Sequence, residues 1–354
     1  MIKLSNLLKV ILFIFIGQNL FSAEVDNFRG RYEDIPDMRT VFNKKTIFYF
    51  KKVIKELNTK SHKCETGPFY KKMRRYFRNH MTGKFNKWML TSKDVHVVYT
   101  KPKESIYKYW NTFESFPIKL LSPIMFQKPA GVLAGYVKVG PVLLGTDKFE
   151  HFLGTGFTYF KSYFIKKKTI NQTAQIGWRD EVGPLGGMTV GVMSFGDLAA
   201  EFNGMFFWND LLRFHDSLTD KKRSLRKKDF VRDHRNGPYI ICKNNKWQLN
   251  KYKPFDWAHY LDDSMDEAIN CSLFKTKSMG VKVKKSLREL ERKKGIKFKC
   301  PMDPEKFERL KRKYGKYAPL ILNESGHGPI TKEIRWRKWR KINLDTYKNP
   351  VQKN

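Results

Sequence analysis

Acid is scarce in this sequence: 34 Asp and Glu stand against 70 Lys and Arg, a formal charge of +36. There are four cysteines with no CxxC pair, and no Walker-type Gly-rich loop, nucleophile elbow or HExxH helix. No internal repeat and no low-complexity tract is visible. The missing motifs exclude the usual forms of P-loop nucleotide hydrolysis, serine-hydrolase chemistry and zinc proteolysis. The scattered cysteines make a four-thiolate zinc site a poor reading. Long apolar runs are also lacking. Residues 152–164 are broken by Lys161, and 182–193 is a Gly-rich dozen, both short of the roughly twenty residues that cross hydrocarbon. They read as buried or interfacial helices.

What is present points to a folded, exported chain. Aromatic residues make up 15% of the 354, far above the content of disordered sequences. The excess of Lys and Arg implies attraction to a polyanion: nucleic acid, an anionic membrane surface or an acidic cell-wall polymer. Abundant Lys, Asn and Ile make part of that charge a matter of composition. Residues 1–23 have the layout of a secretory signal peptide: Lys3 and Lys9, an apolar run over 10–16, then Ser22 and Ala23. Cleavage is expected after Ala23, although Phe21 is a poor residue at that spacing. In an oxidising compartment Cys64, Cys242, Cys271 and Cys300 would form two disulfides, with three pairings open. Export to the periplasm or envelope also makes nucleic acid an improbable target.

Charge divides the remainder into a basic aromatic helical segment (24–115), an apolar helical core (116–215) and a basic C-terminal helical region (216–354). "FYFKKVIKELN", "FYKKMRRYFRNHM" and "KKSLRELERKKG" carry helical spacing of apolar and charged positions. Asp303 as N-cap, Pro304 in the first turn and Gly315 beyond the end delimit another helix. The expected fold is mainly α, a compact helical core with flanking basic helical segments.

Two stretches of the core carry the candidate chemistry. In "GTDKFEHFLGTG", Asp147 and His151 fall one turn apart with Lys148 beside them. The structural reading makes Asp147 an N-cap and Glu150 the partner of a capping box. In "SFGDLAAEFNG", Ser194 reads as an N-cap with Asp197 at the third helical position. Asp197 and Glu201 share a face, and Ala199 and Ala200 admit a close neighbour. Carboxylates in so apolar a region need partners, and Asp147, His151, Asp197 and Glu201 are natural partners for one another.

These residues resemble the core of VanZ-like bacterial envelope proteins and of a related family of small periplasmic proteins. The matching positions are Asp147, Lys148, His151 and Phe152, followed by Ser194, Asp197, Leu198, Ala200 and Gly204, within residues 140–212. Glu181 fits the acidic position that the family often has between the two motifs, with Asp180 the alternative. The chain departs from the pattern in having Glu201 where Asn is common. VanZ-like proteins also span the membrane several times, and this chain reads as exported. The resemblance implies a link to envelope glycolipid or peptidoglycan biology.

Three functional expectations follow. The first is an exported envelope protein that binds lipid headgroups, lipopolysaccharide or lipid-linked peptidoglycan precursors. The second is a metal-assisted hydrolase of such material. It would use Asp147, His151, Asp197 and Glu201 for catalysis, with Lys148, Ser194 and Glu181 binding ligand and a divalent metal bridging to a diphosphate. The third is a secreted polynucleotide-binding protein. The basic aromatic stretches "KKMRRYFR" and Arg335, Trp336, Arg337, Trp339, Arg340 suit an anionic lipid headgroup or polymer, and the same residue types would stack on single-stranded nucleic acid. "FDWAHYLDDSMDEAINCS", with His259 and Asp263 on one helical face and Asp266 and Glu267 beyond, reads as a metal or sugar site. Its plainer reading is a helix whose acids neutralise nearby Lys and Arg. Asp210, His215 and Asp216 suit no standard ligand set, and nothing singles out Glu104 or Glu114 as glycosidase carboxylates.

Overall fold

The computed structural model describes residues 24–59, 64–78, 82–110, 133–183, 186, 191–213, 238–324 and 344. Residues 1–23, expected to be a leader, the 335–340 arm, Glu114, His215 and Asp216 lie outside these described residues. The fold is mainly α. Helix α1 (Arg39–Asn58) buries Phe42, Thr46, Tyr49, Phe50, Val53 and Leu57, a stripe at three-to-four spacing. Helices α2 (Thr66–Tyr76) and α3 (Lys84–Thr91) do the same with Phe69, Tyr70, Met73 and Tyr76, and with Phe85, Asn86 and Met89. Lys71, Arg75, Lys84 and Lys87 face outward, while Arg74 is half-buried over the Phe157 ring.

A hairpin of β1 (Tyr136–Val139) and β2 (Val142–Gly145) turns at Gly140, whose φ of +60° suits glycine. Strand β2 runs directly into a helical rod over 146–165. The rod comprises α4 (Thr146–Glu150), a π-helical stretch His151–Thr155, α5 (Gly156–Phe160) and a second π stretch Lys161–Ile165. Helix α6 (Ile170–Val182) follows, opened by a capping box between Thr169 and Gln172.

Helix α7 (Phe195–Asp210) is the axis of the molecule, and all of its residues are buried. A helix buried around its whole circumference must be surrounded, and the 146–165 rod and α6 are among its neighbours. Backbone meets backbone where α7 crosses the rod. A Cβ on Gly204 would lie 2.1 Å from the Phe152 carbonyl oxygen, and one on Gly156 would lie 2.9 Å from the Gly204 Cα. Phe207 stacks on Trp257 at 5.7 Å, and Trp257 Nε1 donates to Thr46 Oγ1 at 3.0 Å. One cluster of buried apolar residues runs from Met38 through the rod and α7 to Leu344, drawing on all three charge-defined stretches.

Two more two-stranded pairs join distant parts. Strand β3 (Val192–Met193) pairs antiparallel with β6 (Leu273–Phe274). Strand β4 (Ile240–Lys243) pairs with β5 (Lys246–Leu249) around Asn244 and Asn245, whose φ angles of +51° and +59° mark a tight hairpin turn. Helix α8 (Lys277–Lys294) stops at left-handed Gly295. Helix α9 (Pro304–Tyr314) has Asp303 capping Lys306 N, as its sequence indicates, and α10 (Ala318–Ile321) is the last described helix. Cys64 pairs with Cys242 and Cys271 with Cys300, at Cα separations of 5.9 and 6.3 Å, both within the usual disulfide range.

Three expectations need correction. Asp147 is not an N-cap: Gly145 takes that position with no side-chain cap, because the chain enters α4 straight from a strand. Val192–Met193 is strand and not helix, since it completes a pair with Leu273–Phe274. The 255–270 stretch is two 3-10 turns, Trp257–His259 and Asp263–Met265, in place of one helix, so His259 and Asp263 do not share a helical face. Asp256 and Asp262 each cap the turn that follows them.

The glycine contact gives a direct test. Gly204→Ala forces α7 off the Phe152 carbonyl and should destabilise the protein by about 1–3 kcal/mol, whereas Gly154→Ala, which meets nothing within 4 Å, should be neutral or slightly stabilising. Urea unfolding of the two variants checks the contrast, and equal midpoints would contradict the packing described.

Candidate functional site

Because β2 leads into α4 without a loop, Asp147 and Lys148 stand in the first turn with their side chains inside the protein. Lys148, 1% exposed, has its ammonium 2.7 Å from Asp147 Oδ2, 2.7 Å from Asp197 Oδ1 and 2.6 Å from Glu267 Oε1. Its hydrogen bonds go to Asp147, Glu267 and, at 3.4 Å, Ser194 Oγ, while Asp197 is held as an ion pair.

His151 stands one turn on, at the start of the first π stretch. Its Nδ1 is 3.0 Å from Glu201 Oε1 and 3.8 Å from Glu181 Oε1, and its Nε2 is 3.4 Å from Asp197 Oδ2. Asp197 therefore spans two centres, one oxygen toward Lys148 and the other toward His151. Ser194 holds it in place. The Ser194 hydroxyl accepts from Asp197 N at 3.1 Å and donates to Glu267 Oε1 at 2.6 Å, while Ser194 N donates to Glu181 Oε2 at 3.2 Å. Ser194 is thus the N-cap its sequence indicates. Gly177 makes room for the far side: a Cβ there would fall 1.8 Å from Glu201 Oε2 and 2.3 Å from the Tyr159 hydroxyl.

The candidate residues Asp147, Lys148, His151, Glu181, Ser194, Asp197 and Glu201 come together in one buried cluster. Glu181 is fully buried in the cluster, and Asp180 is only partly buried. Two further carboxylates complete the cluster. Glu267 comes from the third acidic stretch, and the only hint of it was an excess of acid in a basic region. Glu24 comes from the start of the described chain, held where its carbonyl accepts from Ala134 N at 2.8 Å. It is 1% exposed, and neither carboxylate oxygen has a hydrogen-bond partner. No local sequence signal marks Glu24.

The other acids of the third stretch follow the plainer reading. Asp262 pairs with Lys313, Asp263 with Lys306 at 2.9 Å, and Asp266 with Arg31. His259 Nδ1 lies 3.2 Å from the Tyr239 hydroxyl. Glu104 is at the surface, 3.0 Å from Arg29, away from the cluster.

Burial sets the protonation of the cluster. It pushes Asp147 up to about 7, with Lys148 opposing the shift and Asp197 and Glu267 adding to it. Burial likewise raises Glu24, Glu181 and Glu201. For His151 burial acts against the charged form, but Asp197 and the hydrogen bond to Glu201 outweigh it and hold the imidazolium well above its ordinary range. Lys148 is kept charged in the same way by Asp147, Asp197 and Glu267.

Comparisons of the chain with protein-family models, curated proteins and solved structures return no match. The VanZ-like likeness therefore rests on the quoted residues alone. No helix among the described residues is long and apolar enough to cross a membrane.

Two outcomes follow. Lys148→Met leaves three buried carboxylates without their shared cation and should cost about 3–5 kcal/mol in urea unfolding; a loss below about 1 kcal/mol would contradict the pairing. In chelator-containing buffer, Asp147 binds its proton more tightly folded, near 7, than at its ordinary 3.8. Its contribution to stability is therefore present at low pH and is lost as pH rises toward and through about 7. The stability of the wild type relative to Asp147→Asn should fall over that window, and a flat difference would contradict the assignment.

Proposed function

We propose that this protein is exported to the cell envelope, where it binds anionic amphiphilic material: lipid headgroups, lipopolysaccharide or lipid-linked peptidoglycan precursors. The carrying observation is a cavity of about 330 Å³ beside α8. Phe28, Ile106, Val283, Leu287 and Phe298 wall it, and Lys284, Arg288 and Lys299 line it with exposed cationic side chains. An apolar slot edged by cations suits an acyl chain under an anionic headgroup. The distribution of charge supports this reading. Among the described residues nine carboxylates are buried against one lysine, so the outer surface is more positive than the net charge alone implies. The leader and the VanZ-like residues add the envelope context.

The second reading is a metal-assisted hydrolase of the same material. It is favoured by Glu267, which lines the cavity and also holds Lys148, so a lipid in the cavity would lie beside the cluster of Asp147, His151, Asp197 and Glu201. The 335–340 arm, which suits an anionic headgroup and single-stranded nucleic acid alike, lies outside the described residues.

Co-sedimentation with phosphatidylcholine vesicles, with and without phosphatidylglycerol, tests the main reading. Binding should require the anionic lipid, wash off in high salt and weaken about tenfold or more in the Lys284→Glu/Arg288→Glu double variant, at about 1 kcal/mol per charge. Val283→Trp, which fills the cavity, should weaken it without changing net charge. Equal binding to neutral vesicles, or variants that bind like the wild type, would contradict it. Metal-dependent lipid turnover lost in His151→Ala would move the assignment to the hydrolase.

A further inference from the structure

Six carboxylates, Glu24, Asp147, Glu181, Asp197, Glu201 and Glu267, are buried together with two cationic groups, Lys148 and His151. They form two centres that share Asp197. Asp147, Asp197 and Glu267 make the first, and the Lys148 ammonium already sits among them. The second brings one ring nitrogen of His151 and one oxygen each of Glu181 and Asp197 within 4.8 Å of one another. Lys148 does not fill this one.

The second centre has the form of a metal site. Glu201 meets Nδ1 of His151 and so directs Nε2 toward Asp197, the arrangement in which a carboxylate orients a ligating imidazole. The Nε2 to Asp197 Oδ2 distance is 3.4 Å, long for a charge-assisted hydrogen bond of about 2.7–2.9 Å. Two donors each about 2.1 Å from one tetrahedral ion lie about 3.4 Å apart. An independent sign comes from unmet oxygens. Glu181 Oε1 and both oxygens of Glu24 are buried with no hydrogen-bond partner, and Glu24 lies within electrostatic reach of Glu267, Asp197 and Glu181. Buried carboxylate oxygens in such a position need a cation or a proton.

We propose that His151, Glu181 and Asp197 bind one divalent transition ion, zinc or manganese, which takes the place of the Nε2 proton of His151 and releases it to solvent. Glu201 acts as the positioning residue for the imidazole, and Lys148 serves as the built-in cation of the adjoining centre. One imidazole and two carboxylates suit these ions, whereas calcium takes six to eight oxygens. The inference is independent of the envelope reading and stands if vesicle binding fails.

The purified full-length protein, stripped with chelator, is dialysed against zinc or manganese chloride and desalted, and its metal content and Tm are read. One retained equivalent is expected after desalting, and in a portion kept at about a hundredfold excess of metal over Kd the Tm should rise by about 4 °C. Glu181→Gln keeps an acceptor for Ser194 N and should fold, yet lose both the equivalent and the Tm rise. His151→Gln, checked by circular dichroism, should give the same result and serves if Glu181→Gln does not fold. Lys44→Glu, on the exposed face of α1, should keep both. No retained equivalent in the folded wild type, or retention unchanged in the folded Glu181→Gln or His151→Gln, overturns the proposal.

Discussion

The ammonium of Lys148, buried and met by three carboxylates, is the constraint to which the rest of the structure answers. A lysine held at 1% exposure loses most of its hydration, and only close, well-aimed acids offset that loss. The three come from separate places: Asp147 from α4, Asp197 from α7 and Glu267 from the turn before β6. One charge thus fixes three parts of the chain relative to one another. The loopless entry of β2 into α4, the Ser194 cap and the β3–β6 pair all serve to bring those oxygens to one point. The glycine crossing of Gly156 and Gly204 lets the two helices come close enough for His151 to reach Glu201.

The same constraint shapes the surface. A chain with few acids places nine of those described in its interior, leaving its exterior to Lys and Arg. Other acids are used at the edge to anchor particular bases, as Asp262 does with Lys313 and Asp263 with Lys306. The residual cationic exterior, together with the apolar cavity beside α8, is what an anionic amphiphile would meet. Glu267 belongs to both the cavity and the cluster, so the two proposed activities of the molecule adjoin at one side chain.

Much of this was legible in the sequence, for physical reasons. Helical spacing is a local property, so α1, α2, α8 and α9 could be read directly, as could the Ser194 and Asp303 caps. The pairing of Asp147, His151, Asp197 and Glu201 followed from the cost of leaving carboxylates alone in an apolar stretch. What escaped depends on contacts distant in sequence. Glu24 and Glu267 join the cluster only through tertiary folding, and Asp147 serves Lys148 in place of a helix end because a strand precedes it. The β4–β5 hairpin carried a local sign, Asn244–Asn245 between alternating residues, that the helical pattern around it obscured. The disulfide pairing was one of three until the fold brought Cys64 to Cys242.

The central claim is that the buried acids outnumber their built-in cations and that a metal ion completes the set. Anomalous diffraction from crystals grown with zinc tests it most directly. The account predicts one peak about 2.0–2.2 Å from a His151 nitrogen and from oxygens of Glu181 and Asp197, with Lys148 still among Asp147, Asp197 and Glu267. A zinc-saturated crystal with no peak in the cluster, or with zinc bound only at the surface, would contradict it and leave protons as the groups that neutralise these acids.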